Sequence, residues 1–104
     1  IKESNRHFGL VADLKVDESA RTIAIRADMD ALPIEEQTGR PYSSREKGIM
    51  HACGHDSHTA IALGTAIAMA EHKEALPGNV RFIFQPSEES KEGGSTEMIE
   101  EGVL

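Results

Sequence analysis

Short apolar runs at residues 8–14 (FGLVADL), 22–26 (TIAIR) and 79–85 (NVRFIFQ) have the length and composition of β-strands. In the last of these Val80, Phe82 and Phe84 alternate onto one face. The polar Asp17-Glu18-Ser19 supplies a turn between the first two runs, so the pattern predicts a hairpin there. From residue 58 to about 72 the pattern changes. Ala60, Ile61, Leu63, Gly64, Ala66, Ile67, Ala68, Met69 and Ala70 leave few polar positions, which predicts a buried helix whose small residues let it approach a sheet closely. Asp56 or Ser57 is placed to cap its first turn. Pro77-Gly78 ends this segment, Pro86 ends the strand that follows, and residues 95–101 form a last amphipathic helix. Residues 35–49, punctuated by Gly39, Pro41 and Gly48, show neither period and are expected to be a long loop beside a functional site.

These elements predict an α/β fold, a mixed sheet flanked by helices. If the strands at 22–26 and 80–85 run parallel, with the helix from residue 58 as their crossover, three polar segments meet at one sheet edge. The first strand ends at Asp28 and Asp30, whose spacing points both carboxylates to one side of an extended chain. The helix start brings Cys53 and His55, and the last strand ends at Glu88 and Glu89. This is the carboxyl edge, where open α/β sheets place their ligands.

The candidate chemistry centres on residues 50–58 (MHACGHDSH), which hold the only cysteine and three of the five histidines. Cys53 and His55 flank a glycine and are both good ligands for a metal such as zinc. Taken alone, the stretch also fits a buried structural cysteine beside surface histidines, or a cysteine nucleophile with a histidine base. The wider set narrows the choice. A thiolate, an imidazole and several carboxylates at one place repel and lose hydration unless a cation neutralises them, so a divalent metal is the economical reading.

Composition excludes some classes. With 104 residues the chain can bury one modest core. Its 11 basic and 18 acidic residues, a net charge of −7, argue against nucleic acid or an anionic membrane as partner. No apolar run suits a membrane span and no signal-peptide pattern is present, so a cytoplasmic location is expected. One cysteine cannot form an internal disulfide. The chain starts at Ile1 and stops just after Gly102-Val103, and both ends are expected to be cuts through a longer protein.

Three motifs carry a family resemblance. They are Arg26-Ala27-Asp28-Met29-Asp30-Ala31-Leu32-Pro33-Ile34-Glu35-Glu36, then residues 50–58, then Phe84-Gln85-Pro86-Ser87-Glu88-Glu89 with Gly93-Gly94 behind it. In this order and spacing the sequence resembles the M20 metallopeptidases, specifically their amidohydrolase branch of hippurate hydrolases, N-acyl-amino-acid amidohydrolases and auxin-conjugate hydrolases. The resemblance implies a zinc-peptidase-like catalytic domain with two divalent metal ions, zinc or manganese, hydrolysing an amide bond in a small N-acyl amino acid or related conjugate. By position Cys53, His55 and Glu89 match metal ligands and Glu88 the general base. Asp30 matches an acid that follows a histidine ligand in other branches. Here Asp28 stands where that histidine would be, so Asp28 and Asp30 are expected to support the ligands from behind. His51 and His58 receive structural or substrate-side roles.

The same resemblance makes residues 1–104 part of a catalytic domain, with an inserted second domain and two further histidine ligands outside it. It leaves room for a homodimer formed through that second domain, and these residues alone are expected to be inactive. A non-catalytic metal-binding or structural module derived from the same fold is the competing reading.

Overall fold

The computed structural model describes residues 1–104 except Asn5 and Glu92, and its sheet is built around the strand Asn79–Gln85. The strands are β1 (Lys2–Glu3), β2 (Leu10–Leu14), β3 (Thr22–Asp28) and β4 (Asn79–Gln85), in spatial order β1-β2-β4-β3. Helix α1 (His55–Glu71) crosses from β3 to β4, and α2 (Gly94–Glu100) follows β4. Strand β3 runs parallel to β4, pairing Thr22 with Asn79 through Asp28 with Gln85, whereas β2 runs antiparallel on its other side. The sheet is therefore mixed and flanked by helices, as the pattern predicts.

The alternation along β4 divides the core. Val80, Phe82 and Phe84 join Ala27 of β3 and Ala62 of α1 in one buried cluster, which Ile25, Ala66 and Met69 extend. Ile83, pointing the other way, meets Val11 of β2 and Met98 of α2. A strand with apolar side chains on both faces is buried best at the centre of a sheet, where helices cover both sides.

That preference overturns the predicted hairpin. β2 and β3 are consecutive but not neighbours, because β4 lies between them. The turn residues are used differently. The buried Asn79 side chain accepts hydrogen bonds from the amides of Val16 (2.7 Å) and Asp17 (3.1 Å) and donates to the carbonyls of Asp17 (2.7 Å) and Ala20 (3.1 Å). One amide thus satisfies the backbone of the β2–β3 connection as it passes over the start of β4. Asn79→Ala is expected to destabilise the full-length protein by roughly 2–3 kcal/mol, because these backbone groups lose their partners. Thermal unfolding checks this, and an unchanged midpoint would assign the turn's order to the local Asp17–Ser19 hydrogen bonds instead.

Helix α1 departs from expectation twice. It begins at His55, not residue 58, and its N-cap is Gly54 at φ 87° with no side-chain cap. Glycine takes that left-handed turn without the Cβ clash other residues meet, so the chain can bend sharply between Cys53 and His55. Asp56 lies inside the first turn, and among the described residues its carboxylate accepts only from the Ser57 amide, at 2.8 Å. Nor is the helix buried all round. Only His55 and Ala62 are buried, and Ile61, Leu63 and Ile67 are 69%, 52% and 53% exposed. One face lies on the sheet, and among the described residues no element covers the other.

The loop at 35–49 is bounded by a bridge between Leu32 and Met50, with reciprocal amide hydrogen bonds of 2.8 and 3.0 Å. The bridge closes the excursion and delivers the chain directly to His51. The final strand occupies 79–85 as predicted, and α2 starts one residue before the predicted 95.

Candidate metal centre

Three segments converge at the carboxyl edge of the parallel pair. Cys53 comes from the turn before α1, His55 from its first residue, and Glu89 from the turn after β4. One potential ligand atom from each of these lies within 4.8 Å of the others. Cys53 is exposed, which removes the reading of a buried structural cysteine. His55 is buried, 4% exposed, with its orientation fixed from behind.

Asp30 does the fixing. Its Oδ1 lies 2.9 Å from His55 Nδ1, and its Oδ2 accepts the Glu89 amide at 2.9 Å. With Nδ1 engaged, Nε2 is the His55 nitrogen left for a ligand, the usual arrangement in which a carboxylate orients a metal-bound imidazole. One carboxylate therefore sets both the imidazole and the backbone that carries Glu89. Burial opposes ionisation of Asp30, yet the amides of Glu89, Asp30 and Glu88 and the His55 ring outweigh it and hold the carboxyl below its ordinary range.

The electrostatics suit a cation. The nearby Glu89 carboxylate first, then desolvation, then the charges of Glu88 and Asp28 push the Cys53 thiol up. Burial works to lower the His55 imidazole, but the Asp30 hydrogen bond and the charges of Asp30 and Asp28 raise it overall. Both shifts report a negative field at the donor atoms. A divalent cation would reverse them, favouring the thiolate and the neutral imidazole it needs as ligands. In chemistry and spacing, Cys53, His55 and Glu89 fit a metal.

Glu88 is exposed beside this set and close enough to act on the Cys53 thiol by its charge. Among the described residues its carboxylate has no hydrogen-bond or ion-pair partner. His51 lies at the margin, its Nε2 3.1 Å from the Met29 carbonyl oxygen.

Asp28 and His58 form a neighbouring group. Asp28 Oδ2 is 3.5 Å from His58 Nδ1, and the His55 and His58 rings stack with centroids 5.4 Å apart. Asp28, His55 and His58 thus also place ligand atoms within 4.8 Å of one another. This is not an independent site, because it shares His55. The Arg26 guanidinium is also pressed against Asp28 Oδ1, although without hydrogen-bond geometry. Sequence reasoning missed the approach of His58. With the helix started at residue 55, positions 55 and 58 fall on one face, three residues apart; started at residue 58, that relation is lost.

The fold and donor set together define an α/β protein with a candidate metal centre at the carboxyl edge of its sheet. Residues 24–104 match the model of peptidase family M20/M25/M40, and the chain belongs to that family. It is 53% identical over 96 residues to the N-acetyl-L-cysteine deacetylase of Bacillus subtilis (strain 168), covering 92% of this chain and 23% of that protein. It is 46% identical over 95 residues to the N-acyl-L-amino acid amidohydrolase of Geobacillus stearothermophilus, covering 91% and 26%. The crystal structure of the Bacillus subtilis YXEP protein, described as a dinuclear metal-binding peptidase of the M20 family, superposes with a TM-score of 0.86. It shares 52% identity and covers 93% of this chain and 27% of that one. The chain thus spans about a quarter of the length of these relatives.

Proposed function

We propose that the full-length protein is a metal-dependent amidohydrolase that cleaves the amide bond of N-acyl amino acids or related conjugates. The observation that carries this reading is the meeting of potential ligand atoms of Cys53, His55 and Glu89 within 4.8 Å, with the exposed carboxylate of Glu88 beside them. Relatives named as a deacetylase of N-acetyl-L-cysteine and an amidohydrolase of N-acyl-L-amino acids support the substrate class. The dinuclear neighbour supports two ions. A thiolate and an imidazole in the donor set favour zinc over manganese.

In this reading Cys53, His55 and Glu89 hold metal, and Asp30 keeps the His55 ring and the Glu89 backbone in place. Bound there, divalent ions supply Lewis-acid polarisation of the scissile carbonyl and lower the pKa of a water. Glu88 accepts the proton of the attacking water and passes it to the departing amine, a transfer for which its carboxylate is free among the described residues. Asp28, held between Arg26 and His58, supports the end of β3 from which the chain continues to Asp30.

The test is hydrolysis of a panel of N-acyl amino acids by the full-length protein, before and after EDTA and after zinc or manganese is restored. Activity lost with the metal and regained with its return is expected. Activity that survives complete metal removal would overturn the metal-dependent reading, and metal binding without turnover on any amide would favour the non-catalytic module.

A further inference from the structure

The turn that carries Glu88 and Glu89 is held in an unusual way. Ser87 has φ 56°, and among the described residues it is the one non-glycine at positive φ. Its carbonyl oxygen accepts three hydrogen bonds, from the Ser90 amide (3.3 Å), the Ser90 hydroxyl (2.9 Å) and the Gly94 amide (3.0 Å). Gly94 is buried against the same backbone, and a Cβ there would lie 1.8 Å from the Pro86 carbonyl oxygen. Because that oxygen is main chain, no side-chain rotation relieves the contact; either the start of α2 or the turn would have to move. The left-handed residue reverses the chain immediately after β4, and the reversal aims the Glu89 amide at Asp30 Oδ2, 2.9 Å away.

We propose that Ser87 and Gly94 are positioning residues. The left-handed Ser87 sets the direction of the turn, and the start of α2, brought onto Pro86 by the absent side chain at Gly94, locks it so that Glu89 faces Cys53 and Glu88 stands beside it. This inference rests on Glu89 being a metal ligand. Among the described residues neither is hydrogen-bonded to Cys53, His55 or Glu89, and both act through the backbone of residues 86–89.

Zn²⁺ affinity of the metal-free full-length protein, measured by competition with a chromophoric chelator, tests it together with thermal unfolding. Gly78→Ala serves as the control. A Cβ at Gly78 would also meet main chain, 2.9 Å from the Arg21 carbonyl oxygen, but at the opposite end of β4. Gly94→Ala and Ser87→Val, the latter placing a branched side chain at positive φ, are each expected to weaken Zn²⁺ binding about tenfold or more. Ser87→Gly, free to adopt the same φ, and Gly78→Ala should stay within about twofold of the parent. If Gly94→Ala does not fold, the contrast between Ser87→Val and Ser87→Gly decides. Unchanged Zn²⁺ affinity in Ser87→Val, or an equal loss in Gly78→Ala at matched thermal destabilisation, would overturn the proposal. Glu89→Gln, measured in parallel, separates the two ideas. If it leaves Zn²⁺ affinity unchanged, the ligand reading fails and the positioning inference with it; if it weakens binding while the Ser87 and Gly94 variants do not, the positioning inference alone falls.

Discussion

Glu88→Gln is expected to keep the metal content of the full-length protein and to lose amide hydrolysis on the order of 10²-fold or more. The two adjacent glutamates are distinguished by what they touch. Glu89 brings a carboxylate oxygen within 4.8 Å of potential ligand atoms of Cys53 and His55, and its amide donates to Asp30, so it stands within the candidate donor set. Glu88 is exposed beside them with its carboxylate unengaged among the described residues. Glutamine preserves size and shape at position 88 but cannot carry a proton, so the fall should appear in kcat. Glu89→Gln should instead disturb metal binding first. Turnover near the parent value in Glu88→Gln, with its metal in place by mass spectrometry, would remove the general-base role.

Cys53→Ser and His55→Ala are expected to lower metal stoichiometry and, with it, activity. Cys53 is exposed, so its replacement removes a thiolate with little effect on packing. His55 is buried and bonded to Asp30, so its removal also leaves one Asp30 oxygen without its imidazole partner, and this variant should lose stability as well. The direction of the Cys53 shift adds a pH dependence. The nearby Glu89 carboxylate first, then desolvation, raises the thiol, so metal binding must displace a proton held more tightly than usual. Affinity should therefore fall as pH is lowered. Unchanged stoichiometry and activity in both variants would sink the ligand assignment. A cysteine nucleophile, unlike the metal reading, would leave hydrolysis intact in EDTA.

Local pattern was a good guide wherever an element's character is set by its own residues. The alternation of Val80, Phe82 and Phe84 places β4 at Asn79–Gln85, and the aperiodic stretch 35–49 is the closed loop leading to His51. The start of α1 was less legible. Asp56 and Ser57 are good capping residues in isolation, but the chain turns at Gly54, whose positive φ lets the helix begin at His55. The hairpin failed for a different reason: Asp17-Glu18-Ser19 suits a turn, yet the choice of neighbour is non-local, and the Asn79 side chain binds that turn from 62 residues away.

By itself the sequence determined the α/β class, the identity of the central strand and the types of potential ligand at its carboxyl edge, because hydrophobic period and side-chain chemistry are local properties. Only the tertiary structure decided that β4 separates β2 from β3, that His58 stacks on His55, and that one Asp30 carboxylate joins an imidazole 25 residues away to a backbone amide 59 residues away. These depend on which segments pack together. That outcome follows from burying both faces of β4 and satisfying the polar groups at its two ends, a competition among distant parts of the chain that no single window of residues contains.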